Sequence, residues 1–206
     1  MRKKSHLCLA GYISHVSADQ EVYQHRLAFA IGNIMPDCKP SFITKRHEYY
    51  GTIDYVARMI EKLTAEKDAI KKISTMYFER LGEVIHYIAD YFTFPHNREY
   101  PGTMKDHCVY EGILKDELKA HIRGIRANEA DMLTERFKYY ESNQLTCTAD
   151  ILEYLKTKHR EYVSKEEHTI RLDIAYIMQV CTTIAFAVVR ICQEALSGLD
   201  RSVLVG

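Results

Sequence analysis

Apolar residues recur along most of the chain at three- and four-residue intervals, the period of an α-helix that buries one face. From Thr52, the positions Ile53, Val56, Ile60 and Leu63 predict an amphipathic helix running to about Ile73. A second is expected from Ser74 to Phe92. Tyr77, Leu81, Val84, Ile85, Ile88 and Phe92 share one face of it, and Glu79, Glu83, His86 and Asp90 fall together on the opposite face. A third begins near Lys105 and continues into the 120s on the stripe Leu114, Leu118, Ile122 and Ile125, which His107 and Glu111 extend at its head. Gln20–Ile31 reads as a helix stopped by Gly32. Further helical stretches are expected at Glu129–Tyr140 and at Ile151–Tyr162, the latter opened by Asp150 with Glu153 in capping-box position. The last helix, from Ser164 to a stop at Gly198, is apolar nearly all round in its second half, which marks a long buried core helix. Leu7–Ile13, near the start, is a short apolar segment followed by a polar stretch read as a loop. No internal repeat, low-complexity segment or convincing strand interrupts the pattern, so the expected class is all-α.

Composition narrows this further. The 206 residues fit one domain spanning the whole chain, residues 1–206. Lys plus Arg equals Asp plus Glu, at 28 each, and no long run of like charge occurs, which argues against duplex nucleic acid as a partner. The six cysteines form no C-x-x-C pair and read as buried, reduced thiols of a cytoplasmic protein. Met1–Lys4 and the apolar residues after it are too short for a signal peptide and lack its cleavage site. Ile174–Ile191 is apolar enough to raise a membrane question, but Gln179, Thr182, Thr183 and Arg190 favour a buried helix over a transmembrane one. There is no basic amphipathic helix with Trp or Phe on its apolar side, which favours a soluble substrate.

The candidate chemistry lies between Leu81 and Glu111. His86 with Asp90, and His107 with Glu111, are four residues apart, so each pair stands on one helix face about a turn apart and can grip one ion. Pairs of this spacing should occur roughly 1.4 times by chance in a chain of this composition. Three occur, the third being His15 with Asp19 in a polar segment. The first two gain weight from their neighbours. His96 follows Pro95, Asp37 follows Pro36 in a loop, and His47 lies ten residues later. A mixed set of imidazoles and carboxylates is the chemistry of zinc or another divalent ion and not of a thiolate structural site. A histidine and a carboxylate heading an apolar stripe, as His107 and Glu111 do, are partly buried and need a compensating charge. Other sites fit less well. There is no His-Asp dipeptide, Glu83-x-x-His86 is a single E-x-x-H, and no G-x-S-x-G, P-loop or dinucleotide fingerprint is present.

From His6 to Glu111 the ordered set His, Asp, His, H-x3-D-x5-H, H-x3-E resembles the zinc-dependent phospholipase C family, an all-α fold shared with single-strand-specific nucleases of fungi and plants. The resemblance implies that Asp37, within Gly32-Asn33-Ile34-Met35-Pro36-Asp37, binds metal with His47, His86 and Asp90, and that His96, His107 and Glu111 hold a second zinc. It further implies a third ion between His6, the terminal residue and Asp90, so two to three zinc ions in all, with Asp37 also orienting or deprotonating the attacking water. The sequence departs from the secreted members, whose mature chains begin with a metal-binding tryptophan, in having no Trp. The expected function is therefore phosphoester hydrolysis, of a phospholipid headgroup ester, a nucleotide or another phosphodiester. The alternatives are a non-catalytic helical protein that uses the metal for structure or sensing, and a metal-free helical interaction domain.

Overall fold

A computed structural model describes residues 1–17, 20–38, 48–65, 74–127, 142 and 144–203. Among the described residues it is all-helical, with eight α-helices and no strand. In chain order they are α1 (Lys3–Val16), α2 (Gln20–Gln24), α3 (Arg26–Gly32), α4 (Tyr49–Thr64), α5 (Thr75–Tyr91), α6 (Met104–Ala127), α7 (Thr148–Val163) and α8 (Ile170–Val203). Two single 3-10 turns, Pro36–Cys38 and Phe94–His96, lie just beyond the C-terminal ends of α3 and α5.

α5 is the hub, packed by α1, α3, α4 and α8. Ser74 caps it, its hydroxyl accepting from the Tyr77 N–H at 3.4 Å. The apolar positions expected inside, Tyr77, Leu81, Val84, Ile85, Ile88 and Phe92, are buried. The opposite face is not the outward acidic one that its periodicity suggests. His86 and Asp90 are as buried as the leucines, and only Glu79 and Glu83 remain half-exposed. The covering element is α1, a full helix where a short apolar segment and a loop were expected, which brings His6, Leu9 and Ile13 into the interior.

α3 meets α5 backbone to backbone. A side chain at Gly32 would begin 1.9 Å from the Glu79 carbonyl oxygen, and one at Gly82 2.2 Å from that of Phe29. Only glycine permits this approach, and it sets the Asn33 carbonyl against His86.

Other boundaries differ from the pattern-based ones. The expected helix at 20–31 is broken at His25 into α2 and α3. α4 starts three residues early and is described to Thr64, its expected continuation toward Ile73 and the expected helix Glu129–Tyr140 lying outside the described residues. α7 starts at Thr148, because the Asp150 carboxylate accepts from the backbone N–H groups of Thr146 and Cys147, at 2.7 and 3.1 Å, from inside the first turn. α8 starts six residues later than expected. Thr169 caps it, accepting from the Leu172 N–H at 3.2 Å, and the residues between turn so that His168 stacks on Phe94 with ring centroids 4.0 Å apart. α8 also runs through Gly198 instead of stopping there. By length and composition it could cross a membrane, yet most of its apolar window is buried inside this fold. All six cysteines are free, and Cys38, Cys108 and Cys147 are exposed where burial was expected.

α7 contributes a buried histidine. His159 stacks on Tyr49 at 3.8 Å, and its Nε2 donates to Asn97 Oδ1 at 3.1 Å. Burial lowers its pKa to about 4. Because the folded value lies below the unfolded one, near 6.5, this group's contribution is intact above about pH 6.5 and is lost as pH falls toward 4. From about pH 7.5 to about pH 5, the wild type is expected to lose about 2 kcal/mol more unfolding free energy than a His159→Phe variant, measured by urea denaturation at each pH in the presence of a chelator.

Candidate metal centre

The site assembles where α1, α5, α6 and the two 3-10 turns converge. α5 presents His86 and Asp90 one turn apart, and Phe92, the C-cap of α5, ends it so that the Phe94–His96 turn folds His96 back toward them. The first two turns of α6 present His107 and Glu111, and the first turn of α1 presents His6 with Met1 just before it.

Asp90 lies at the centre. Its Oδ1 is 3.4 Å from His6 Nε2 and in direct contact with the Met1 amino nitrogen. Its Oδ2 is 3.4 Å from His86 Nε2 and 3.8 Å from His96 Nδ1. His86 Nδ1 is 2.7 Å from the Asn33 carbonyl oxygen, so the proton sits on Nδ1 and the Nε2 lone pair faces inward, 3.7 Å from Asp37 Oδ1. The His6 and His86 rings stack with centroids 3.9 Å apart.

A second set adjoins the first. Glu111 Oε1 is 3.1 Å from both His96 Nε2 and His107 Nε2. The Met1 amino nitrogen joins the two sets, 3.1 Å from Glu111 Oε1 and 3.0 Å from His96 Nε2. Within each trio, His6, His86 and Asp90 or His96, His107 and Glu111, ligand atoms lie within 4.8 Å of one another. The first trio is fully buried and the second half-buried.

Protonation states match a ligand set. Burial pushes His86 well below the ordinary imidazole value and lowers His96, so both are neutral at pH 7. Burial alone would raise Asp90 and Glu111. The imidazoles and the Met1 amino group around them outweigh it and hold both carboxylates well below their usual range. Burial also works against the Met1 ammonium, and Asp90 and Glu111 more than offset it, raising its pKa.

Zinc fits this donor set. Asp37, Asp90 and Glu111 converge with one ammonium to balance them, the His86 and His96 imidazoles among them are neutral, and His6 is fully buried with neither ring nitrogen hydrogen-bonded. Buried negative charge and unsatisfied imidazole nitrogens are what a divalent cation relieves.

The comparisons with known proteins bear on the same residues. The family model described as zinc dependent phospholipase C matches residues 18–169, well over half of the chain. The chain belongs to the zinc-dependent phospholipase C family. The matched stretch contains Asp37, His47, His86, Asp90, His96, His107 and Glu111, and begins after His6. No curated protein and no solved structure matches the sequence.

Of the residues the family resemblance singled out, seven thus meet in space: His6, Asp37, His86, Asp90, His96, His107 and Glu111. His47 lies outside the described residues, as does Asp19, while His15 is exposed. Sequence reasoning missed three contributors. The Asn33 carbonyl orients His86. Asp173 holds the backbone before His96, accepting from the Phe94 N–H at 3.0 Å, the Tyr110 hydroxyl at 2.9 Å and the Tyr162 hydroxyl at 2.7 Å. Tyr110 is the third, since it links that carboxylate to the residue next to Glu111. A carboxylate one residue before the apolar run of α8 was the available signal for Asp173. Burial raises its pKa to about 6 against the pull of those three donors. Asp173→Asn, which keeps one acceptor oxygen, is expected to lower the unfolding free energy by about 1–3 kcal/mol. In a double-mutant cycle by urea denaturation, Tyr162→Phe should then cost less in the Asn background than in the wild type.

Proposed function

We propose that the chain is a zinc-dependent hydrolase of phosphoester bonds, acting as a phosphodiesterase of the phospholipase C type through a multinuclear centre. The observation that carries this is the convergence of three carboxylates and four buried or half-buried imidazoles on one region, in a chain of this family. Asp37, His86 and Asp90, with His47, would hold one zinc, and His96, His107 and Glu111 a second. His6, the Met1 amino nitrogen and Asp90 would hold a third. When bound, zinc supplies Lewis acidity toward a phosphoryl group.

The chain's own residues supply the rest. Asp90 directs one oxygen to His6 and Met1 and the other to His86 and His96, so it ties the ligand groups into a single cluster. Asn33 fixes the His86 ring so that Nε2 stays available. Asp37, almost buried and beside His86, orients the attacking water and accepts its proton at a carboxylate oxygen. His107 and Glu111, the more exposed ligands, lie on the side from which a substrate phosphate reaches the cluster. A phospholipid headgroup ester, a nucleotide and a simple phosphodiester all offer that group, and a cytoplasmic location is part of the same reading.

Elemental analysis of the purified protein is expected to find about two to three zinc per chain. His86→Ala should lower both the zinc content and the melting temperature. A metal-free wild type whose melting temperature is unaffected by that substitution would refute the proposal. Asp37→Asn is expected to keep the zinc of His96, His107 and Glu111 while kcat toward bis-p-nitrophenyl phosphate drops about 10²- to 10⁴-fold. Zinc at the expected level with no hydrolysis of lipid, nucleotide or model ester would assign the centre a structural or sensing role instead.

A further inference from the structure

His86 and His96 are held in place in different ways. His86 has a ring nitrogen on the Asn33 carbonyl, so main chain sets its orientation. His96 has no such partner among the described residues: its Nδ1 faces Asp90, and its Nε2 faces Glu111 and the Met1 amino nitrogen. Its placement therefore comes from the backbone on either side of it. Two residues earlier, the Phe94 N–H is fixed on Asp173. One residue later stands Asn97, whose Nδ2 donates to the Tyr91 and Thr93 carbonyls, at 3.1 Å each, and whose backbone N–H donates to the Phe94 carbonyl at 2.9 Å. Tyr91 is the last residue of α5, where carbonyls have run out of intrahelical donors. One side chain thus closes that helix and anchors the residue that follows His96.

Asn97 is held in turn by α7. With its amide hydrogens directed at carbonyls, its Oδ1 is left to accept, and it accepts from His159 Nε2 at 3.1 Å. That bond fixes the tautomer of His159, with the proton on Nε2. The ring itself has little freedom to move. It is 3% exposed, lies flat on Tyr49 with centroids 3.8 Å apart, and meets Tyr91 and Phe92 edge-on at 6.3 and 6.1 Å. A phenylalanine would satisfy this packing as well as an imidazole does. What it could not supply is the N–H that meets Asn97. An unpaired Asn97 oxygen would draw the amide toward water and away from the Tyr91 and Thr93 carbonyls, so the anchor next to His96 would slacken.

We propose that His159 is a positioning residue for the second zinc: acting through Asn97, it holds the His96 backbone where the imidazole can share an ion with His107 and Glu111. The inference rests on the zinc reading above and adds to it a residue that is not itself a ligand. It is tested by withdrawing zinc from the loaded full chain with a chromogenic chelator and comparing the stepwise affinities. The step belonging to this trio is the one that His107→Ala abolishes. His159→Phe, which keeps the ring stack and lacks the N–H, is expected to weaken that step about tenfold and to leave the other zinc unchanged. Asn97→Ala should weaken it at least as much, and the double variant no further than Asn97→Ala alone, because His159 acts through the amide. Ile151→Val, which loosens the buried packing of the same helix, should leave every step as in the wild type. An unchanged step in His159→Phe, additive losses in the double variant, equal weakening of all steps, or a matching loss in Ile151→Val would overturn the proposal, since each is what a purely structural role predicts. A wild type that takes up no zinc would overturn the zinc reading along with it, whereas normal zinc uptake by the wild type and by His159→Phe would overturn the positioning role alone.

Discussion

The Asp90 carboxylate is the constraint on which the rest of the structure depends. It is almost fully buried and ionised, a state that costs several kcal/mol unless opposing charge and polar contacts surround it. Those contacts come from three directions: Met1 and His6 from α1, His86 from its own helix, and His96 from the turn beyond it. α1 therefore cannot lift away without exposing an unbalanced carboxylate to an apolar interior. The Phe94–His96 turn is bound by the same demand, and Glu111 is drawn in by the Met1 amino group and by His96. A divalent ion at this point would meet the same requirement with more charge, which is why the features that make the region costly to bury also make it a candidate metal centre.

The sequence made part of this legible, for definite reasons. His86 with Asp90 and His107 with Glu111 are local pairs, and helical periodicity alone puts each pair on one face. The head of the α6 stripe was correctly expected to be partly buried, because His107 and Glu111 continue Leu114 and Leu118 on the same side. The burial of His86 and Asp90 was not legible, because it depends on a covering helix some eighty residues earlier. A helical-wheel argument on α5 sees polar residues on one face and infers solvent. The true extent of α1 escaped notice for a related reason: Ser5, His6 and Ser14 interrupt its apolar pattern, yet all three are buried, so its inward face reads as polar. Asp173 was hidden by its place at the edge of the most apolar run in the chain, where a carboxylate looks like a helix-start residue and not a partner for three donors.

α5 and α8 divide the work of building and bracing the centre. Through the Gly32 and Gly82 crossing, α5 receives the α3 backbone so closely that the Asn33 carbonyl lands on His86, and the ring orientation is then set by main chain. Main-chain positioning is stiffer than positioning by a side chain, since no rotamer is left to relax. α8 supplies no ligand atom, but Asp173 ties the backbone two residues before His96 to Tyr110, the neighbour of Glu111, and to Tyr162 on α7. The buried C-terminal helix thus fixes the spacing between the His96 turn and the head of α6, the two elements that furnish the more exposed ligand trio.

α6 is the element whose two faces answer to different environments. Its inner face continues from His107 and Glu111 into the core at Leu114, Leu118, Ile122 and Ile125. Its outer face leaves Val109 and Ile113 in solvent. For a helix whose stability comes from one buried stripe, the exposed aliphatic residues add nothing to folding and carry some liability for self-association.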